Sequence, residues 1–277
     1  MWNNIETIFE LFPDAVIAGV VIAASCAFLG VFVILKRVSF IGIALSQVAA
    51  AGIAASLLFG FPPLLCAAPV TLFAVTILSY PFDGKRIPRD AVLGITFVAA
   101  SAASTLIVAR SAFDLNEVKA LLYGDLILTS HSDLIIIIIC LLPAVLLQIL
   151  FFRPTVLTFL DRDNAKVTGI RVAFWELLFF YCLGLTVAAS CKVTGSILVF
   201  CYLTVPPVAG LLVSKRLIPA IVVSVIVAVL STLIGIYISF KEDFPTNQVI
   251  CVSSLIFLAV AWIGRFLFSL RRKVKHV

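Results

Sequence analysis

Apolar runs of about twenty residues follow one another along almost the whole chain, separated only by short polar stretches. An α-helix needs about 20 apolar residues to cross the hydrocarbon core of a bilayer. The runs lack the alternation of β-strands, and lipid admits only helices or closed barrels. The sequence therefore predicts an all-α polytopic membrane protein with nine spans, at roughly 14–35, 39–59, 63–80, 91–109, 133–152, 172–190, 195–213, 218–239 and 248–269. The third run is short and opens with two prolines, so eight full spans and a partial one are the alternative.

The composition supports this class, because 63% of the 277 residues are hydrophobic, 12% are charged and the mean hydropathy is +1.23. Soluble globular domains contain about 25% charged residues. The net charge of +6 does not indicate a nucleic-acid partner, since the basic residues cluster at the ends of apolar runs. We expect residues 1–277 to form one membrane domain in the lipid bilayer, because the largest hydrophilic stretch is only about twenty residues long.

The basic residues also predict the orientation of the chain. Placing Lys36 and Arg37 in the cytoplasm fixes the side of every other loop. Sixteen basic residues then fall on the cytoplasmic side, and four fall outside: Arg110, Lys119, Lys192 and Lys241. Cytoplasmic loops of membrane proteins are enriched in Lys and Arg. The sequence therefore predicts an outer N-terminus and a cytoplasmic C-terminus.

Two apolar runs joined by the basic pair Lys36-Arg37 form a predicted helical hairpin over residues 28–52. The second run is rich in glycine, alanine and serine, which lets other helices approach closely. Ser46 and Gln47 are polar and lie about a third of the way along it. A polar amide at that depth is costly unless it faces protein or water. Gln47 therefore lies either in a helix interface or on a solute pathway.

Two segments are neither spans nor short turns. The outer segment, 110–132, is amphipathic in its middle and either lies on the membrane surface or dips in as a re-entrant segment. The inner segment, 153–171, offers Asp161 or Asp163 as a helix cap and Gly169 as a stop signal. We expect a short helix at the cytoplasmic face, with an ordinary solvated loop as the alternative.

The chain lacks the signatures of common nucleotide and catalytic sites. It contains no GxxxxGK[ST], HExxH or GxSxG motif, and its seven cysteines form no CxxC pair and read as buried apolar residues. His131 lies in an SHSD sequence that favours a helix cap, although it could also meet an incoming cation. Glu176, near the inner end of its span, is expected to snorkel or to pair with Arg171 or other nearby basic residues.

The residues by themselves thus indicate a transporter or channel subunit that holds no cofactor. A membrane enzyme needs a nucleophile and base, or metal ligands, facing each other in the bilayer, and no such set can be assembled from this sequence. A secondary transporter would be expected to carry intramembrane carboxylates for ion coupling, which are nearly missing here. A solute passage fits better than a reaction centre.

Five segments resemble, in order, the permease subunits of bacterial ABC transporters for zinc, manganese and chelated iron. The hairpin is similar to the family's GxxGxxxxLRRxSLxGDALSHAxLPG at Gly30, Leu35, Arg37, Ser39, Gly42, Ala44, Leu45, Ser46 and Gly52. DAVLGITF at 90–97 with LLYGDLIL at 121–128, and FLDRDNAKVTGI at 159–170, resemble further family segments. TGSILVFCYLTVPPVAGLL at 194–212, in which Pro206 matches, and DFPT at 243–246 complete a series that covers nearly the whole chain.

The resemblance implies an ABC-importer permease fold in a bacterial inner membrane. Two copies of the chain would form a dimer, two cytoplasmic ATP-binding subunits would drive it, and an extracytoplasmic metal-binding protein would deliver the cation. The coupling helix would be residues 159–170 of the inner segment, seated on the ATPase through Asp161, Asp163, Ala165, Lys166 and Gly169. ATP hydrolysis would belong to the partner, so this chain would be a transport subunit and not an enzyme.

The sequence departs from the family pattern where cargo recognition is expected. Ile43 and Gln47 stand in the places of the family's aspartate and histidine in GDALSH, and neither is a strong ligand for a divalent cation. Either the metal passes with transient contacts, or the cargo is a chelate or a less azophilic ion, or the ligands have moved, for instance to Asp125, His131 or Cys201. The predicted pathway residues are Ser46, Gln47, Asp125, Cys201 and Pro206. The Pro-Thr-Asn-Gln sequence at 245–248 also departs from the family's PTGP.

Overall fold

A computed structural model describes residues 12–79, 88–110, 124 and 126–274, except for the side chains of residues 89 and 267–274. Within these ranges the regular structure is helical and no strand occurs. In chain order the elements are α1 (Pro13–Leu35), α2 (Phe40–Phe59), α3 (Pro63–Ser79), α4 (Arg89–Arg110), a 3₁₀ turn (Leu126–Leu128), α5 (His131–Leu150), α6 (Phe152–Leu160), α7 (Arg162–Val167), α8 (Val172–Val213), α9 (Leu217–Glu242) and α10 (Thr246–Val274).

Seven of these helices are long and apolar enough to cross a bilayer: α1, α2, α4, α5, α8, α9 and α10. The helix that begins at the second of the two prolines, α3, has only 17 residues. Large apolar side chains such as Ile95, Leu106 and Trp262 point away from the protein and are more than 60% exposed. This outward belt is suited to lipid, and the predicted all-α polytopic membrane fold is confirmed.

The longest helix, α8, folds back on itself at Gly195, whose φ of 71° and ψ of 171° are not helical. The first half runs along α1 from its end to its middle, since Glu176 reaches the residue after α1 and Ser190 lies beside Cys26. The second half returns, because Leu203 lies against Gly30, nearer the end of α1 again. The two halves therefore run in opposite directions.

These two halves correspond to the predicted spans 172–190 and 195–213. The sequence predicted a connector between them, and the structure replaces it with one residue, because the helix continues to Thr194 and resumes at Ser196. Glycine reaches a φ of about +70° without the steric cost that a Cβ atom brings. With the halves counted separately, each of the nine predicted runs falls on a helical stretch, α3 being the short one.

The predicted hairpin is confirmed, with α1 and α2 joined by a tight turn. Lys36 follows the last residue of α1, and Arg37 takes a left-handed conformation with φ 59° before α2 begins. Glycines along the hairpin allow close contacts, as the small-residue pattern predicted. A Cβ atom on Gly30 would lie 2.5 Å from the carbonyl oxygen of Leu203, and one on Gly52 would lie 2.6 Å from the Cα of Ala67 in α3.

The core is organised around α8, which contacts α1, α2, α3, α5, α9 and α10. Near one end of the bundle, Phe32 of α1 meets Phe152 and Phe159 of α6 and Phe179 of α8, with ring centroids 5.8–6.3 Å apart. Lipid supplies no hydrophobic driving force between helices, so such close packing holds them together. Edge-to-face rings add about 0.5–1.5 kcal/mol per pair beyond their buried area.

The structure gathers residues predicted to share a side of the membrane. Lys36 lies beside Glu176 at the end of the bundle where α6 and α7 are found. At the opposite end of α1, the His131 Nδ1 is 3.2 Å from Asp14 Oδ1. The course of the helices therefore agrees with the predicted grouping of these residues on two sides of the membrane, and which side is cytoplasmic stays a prediction.

Candidate functional site

The inner segment contains two helices, α6 and the short helix α7. Asp161 caps α7 by accepting a hydrogen bond from the Asn164 backbone N–H at 3.0 Å, and Gly169 follows its end with φ 78°. The predicted helix cap and stop are thus confirmed, and the solvated-loop alternative is wrong. Ala165 is fully buried, whereas Asp163 and Lys166 are exposed and lie 3.4 Å apart. The helix therefore rests on the body through Ala165 and presents its polar face outward.

Glu176 of α8 joins this helix to the hairpin. Its Oε1 lies 3.0 Å from Lys36 Nζ and 3.9 Å from Arg162 Nε at the start of α7. The sequence named Arg171 as one partner, and that part of the prediction is wrong. Residues five apart on a helix point in different directions, and Arg171 is the residue just before α8, so the carboxylate instead meets basic residues of α7 and the α1–α2 turn.

The break in α8 at Gly195 is contacted by two other segments of the chain. The backbone of Gly124 lies so near Thr194 and Gly195 that a Cβ atom there would overlap them. Asn247, at the start of α10, donates hydrogen bonds of 3.0 Å to the carbonyl oxygens of Gly124 and Thr194. The last carbonyls of a helix lack partners within it, and here the buried amide supplies one.

Gln47 of α2 reaches the same break from the other side. Its Nε2 donates a hydrogen bond of 3.3 Å to Ser196 Oγ, the first residue after Gly195. Between Ile41 and Ala54, only Ile43 and Gln47 are partly exposed, and the four-residue spacing puts them on one stripe of α2. The expectation that Gln47 faces a protein group or water is confirmed, and its place on a cargo pathway stays a prediction.

Ser46 is turned away from that stripe. Its side chain is fully buried and donates a 3.0 Å hydrogen bond to the Ile43 carbonyl of its own helix. Its carbonyl oxygen accepts a weak 3.8 Å bond from the Cys191 thiol of α8. The structure therefore separates two neighbouring residues that the sequence treated as a pair.

The other predicted pathway residues do not join Gln47. Cys201 is buried beside Cys251 and Ser254 of α10, on the side of α8 away from α2. Pro206 is buried in the second half of α8, one residue before the proline that lies against Gly30. Asp125 lies outside the described residues, so nothing is said of its position.

The relocated-ligand hypothesis finds no cluster in the part of the chain that the structure describes. His131 is exposed at the outer end and pairs with Asp14, far from Cys201 in its α10 contact. Ser130 caps α5 by accepting a bond from the Asp133 N–H, as the SHSD sequence predicted. No group of three or more His, Cys, Asp or Glu side chains among these residues could hold a metal ion.

Sequence reasoning missed Asn247 and Lys36 as site residues. The departure from the family pattern at 245–248 was a signal for the first, because the asparagine that bonds to the break stands there. Sequence reasoning assigned Lys36 only a topological role, since the basic pair already accounted for the turn. The outer ion pair between Lys192 and Asp133 was also missed, although both residues were predicted to lie on that side.

Comparisons with known proteins agree on one family. The model of the ABC 3 transport family matches residues 8–264. The probable iron transport system membrane protein of Haemophilus influenzae is 28% identical over 261 residues, covering 94% of this chain and 91% of that protein. The manganese import system permease protein ScaB of Streptococcus gordonii is 28% identical over 270 residues, covering 96% of both chains.

A solved structure shares the fold. PsaBC from Streptococcus pneumoniae, in complex with Fab, superposes with a TM-score of 0.85 over 95% of both chains, at 23% identity. The likeness in fold covers nearly the whole chain. The chain therefore belongs to the ABC 3 transport family, as a multi-pass protein of the bacterial inner membrane.

Proposed function

We propose that this chain is the membrane-spanning subunit of an ATP-driven importer of divalent metal ions, with zinc, manganese and iron as the candidate cargoes. The observation that carries the proposal is α7, a capped helix that rests on the body through Ala165 and presents Asp163 and Lys166 outward. A short helix with a free polar face, at the predicted cytoplasmic end, is suited to docking on a separate ATPase. Membership of the ABC 3 transport family supports that assignment.

The partners follow from the family. Two copies of the chain would form the membrane dimer, one ATP-binding subunit would dock on α7 of each copy, and an extracytoplasmic metal-binding protein would load the outer mouth. Asp161 and Gly169 fix the ends of α7, so they set the shape that the ATPase meets. The chain itself catalyses no bond change and needs no cofactor.

The proposed pathway runs along the stripe of Ile43 and Gln47, next to the break at Gly195. An amide and a hydroxyl are neutral ligands that hold a divalent cation weakly, so the cargo passes with transient contacts. The transport names of the relatives, iron in one and manganese in another, support a metal cargo. A metal chelate is the alternative cargo, because neutral groups also suit a metal ion that is already coordinated by its chelator.

A passive channel or a secondary transporter is the competing class. The described acidic residues lie at helix ends or in turns, among them Asp14, Asp133 and Glu242, and none lies near the middle of a described span. Ion-coupled transporters place carboxylates at such depths. The structure therefore gives this second class less support than the ATP-driven one.

The test is reconstitution of the permease with its ATPase and its delivery protein in liposomes. Uptake of Mn²⁺, Zn²⁺ or Fe²⁺ is expected only when ATP is supplied on the side of the membrane where the ATPase is bound. Offering the same metal free and chelated decides the form of the cargo. Uptake that proceeds equally without ATP would contradict the proposal and favour a channel.

A further inference from the structure

We propose that Glu176 is a positioning residue that transmits movement of α7 to the pathway helices through an ion triad with Arg162 and Lys36. The inference rests on the proposed function, since it concerns how the ATPase drives transport. Each member belongs to a different element: Arg162 begins α7, Glu176 lies in α8, and Lys36 begins the α1–α2 turn. The carboxylate lies between the two cations, 3.0 Å from Lys36 and 3.9 Å from Arg162.

The contact between Glu176 and Lys36 is shielded from water. The side chains of Lys36 and Glu176 are only 11% and 15% exposed. Lys36 Nζ also lies 4.7 Å and 4.6 Å from the ring centroids of Phe159 and Phe180. Ion pairs and cation–π contacts strengthen as solvent is excluded. The base of α8 and the α1–α2 turn are therefore held to each other and move together.

The contact between Glu176 and Arg162 is longer and more exposed to solvent. Arg162 is 51% exposed, and its distance to Glu176 is 0.9 Å longer than that of Lys36, the difference between 3.9 Å and 3.0 Å. Arg162 is the first residue of α7, next to the cap Asp161. A displacement of α7 by a docked ATPase changes this contact first, while the shielded pair keeps its geometry. Glu176 thus receives the movement on one side and passes it on from the other.

The same two chain segments meet again at the pathway. Gln47 follows Lys36 by eleven residues, and Ser196 follows Glu176 by twenty. Their contact, Gln47 Nε2 to Ser196 Oγ at 3.3 Å, lies about 30 Å along α8 from the ion pair at 1.5 Å per residue. Because the ion pair holds the base of α8 to the hairpin, a tilt of α8 about that point changes the separation of α2 and α8 at the break.

The experiment measures metal uptake and ATP hydrolysis together in liposomes that contain the permease, its ATPase and the delivery protein, with Mn²⁺ as the probe. The wild-type complex is measured first, and a lack of ATP-dependent uptake there contradicts the proposed function, not the triad. Arg162→Gln is expected to lower the ratio of ions moved to ATP hydrolysed by about tenfold, with an unchanged thermal unfolding temperature. Lys215→Gln, a matched loss of an exposed cytoplasmic cation in the α8–α9 turn, should behave as wild type.

Glu176→Gln and the double variant Lys36→Met/Glu176→Gln separate transmission from stability. Glu176→Gln leaves a shielded cation without its carboxylate, so both the unfolding temperature and the transport ratio should fall. The double variant removes both charges, and methionine fills the space between the rings, so stability should return while the ratio stays low. A transport ratio that recovers with stability would show that Glu176 is merely structural.

A double-mutant cycle tests the contact between Arg162 and Glu176. If Arg162 acts through Glu176, Arg162→Gln/Glu176→Gln should lower the transport ratio no further than the larger single loss. Losses that add would mean that Arg162 acts independently of Glu176, for example by touching the ATPase directly, and would overturn the proposal. A ratio within twofold of wild type in Arg162→Gln would overturn it as well.

Discussion

The two ends of the first half of α8 are built from different chemistry. At its base, Glu176 forms a shielded ion pair with Lys36 among aromatic rings. At the break, the contacts of Gln47 and Asn247 are hydrogen bonds between neutral groups. A shielded charge cannot leave its partner without a large cost, whereas a neutral hydrogen bond is exchanged for water at a cost near 1 kcal/mol. The base is suited to hold helices in register, and the break is suited to open and close.

The largest expected effect comes from removing the break itself. In Gly195→Ala the new Cβ atom meets a backbone with φ 71°, which costs on the order of 1–3 kcal/mol. We expect a lower unfolding temperature in detergent and loss of ATP-dependent uptake. Gly94→Ala in α4 is the control, because nothing lies within 4 Å of its Cβ position and its helix should gain about 0.5–1 kcal/mol. Equal behaviour of the two variants would contradict the special role of Gly195.

The next effect concerns the seat of α7. Ala165→Asp places a carboxylate at a position with no exposure, so the helix should lift from the body and uptake should fall by more than about tenfold. Binding of the delivery protein at the outer face should stay unchanged, as measured by surface plasmon resonance. Lys215→Asp adds negative charge on another cytoplasmic turn and serves as the control. Loss of delivery-protein binding instead would mean that α7 lies on the outer face.

Gln47→His replaces the neutral amide at the break in α8 with a stronger metal ligand. Because position 47 lies on the partly exposed stripe of α2, an imidazole there should raise Zn²⁺ affinity by about tenfold, or about 1.4 kcal/mol. Equilibrium dialysis of the purified protein measures the retained metal. Gln47→Leu is the control and should retain no more Zn²⁺ than wild type. Unchanged metal content in Gln47→His would place the residue in a helix interface.

The smallest effect is expected at the outer end. His131 is 75% exposed and pairs with Asp14 on the surface, where such pairs contribute about 0–1 kcal/mol. His131→Ala should therefore leave metal uptake within about twofold of wild type. A large loss of uptake would revive the hypothesis that this histidine is a relocated cargo ligand.

Local features of the fold were accessible from the sequence. Hydrophobic runs predicted the helices, and local signals predicted the ends of α7 at Asp161 and Gly169 and the cap of α5 at Ser130. These features depend on residues within a few positions of one another. The single-residue reversal at Gly195 was not predicted, because apolar periodicity reports where spans are and not how two of them connect.

The long-range contacts of the candidate site could not be predicted. Lys36 and Glu176 are 140 residues apart in sequence, and Asn247 bonds to a carbonyl 53 positions away. Such pairs depend on which faces of the helices meet, which composition leaves undetermined. Cys201 illustrates the same point, since its place in the chain suggested the pathway whereas its neighbours belong to α10.

The reversal at Gly195 also bears on how the chain is made. A translocon that inserts one span and then the next usually receives a hydrophilic loop at the change of direction, and here the connection is the single residue Gly195, with Lys192 as the nearest charge. Because so short a connection leaves little freedom between them, we expect the two halves of α8 to enter the membrane together as a hairpin. A nascent chain released before α10 has emerged would lack Asn247 and would hold this pair without its hydrogen bond to the Thr194 carbonyl.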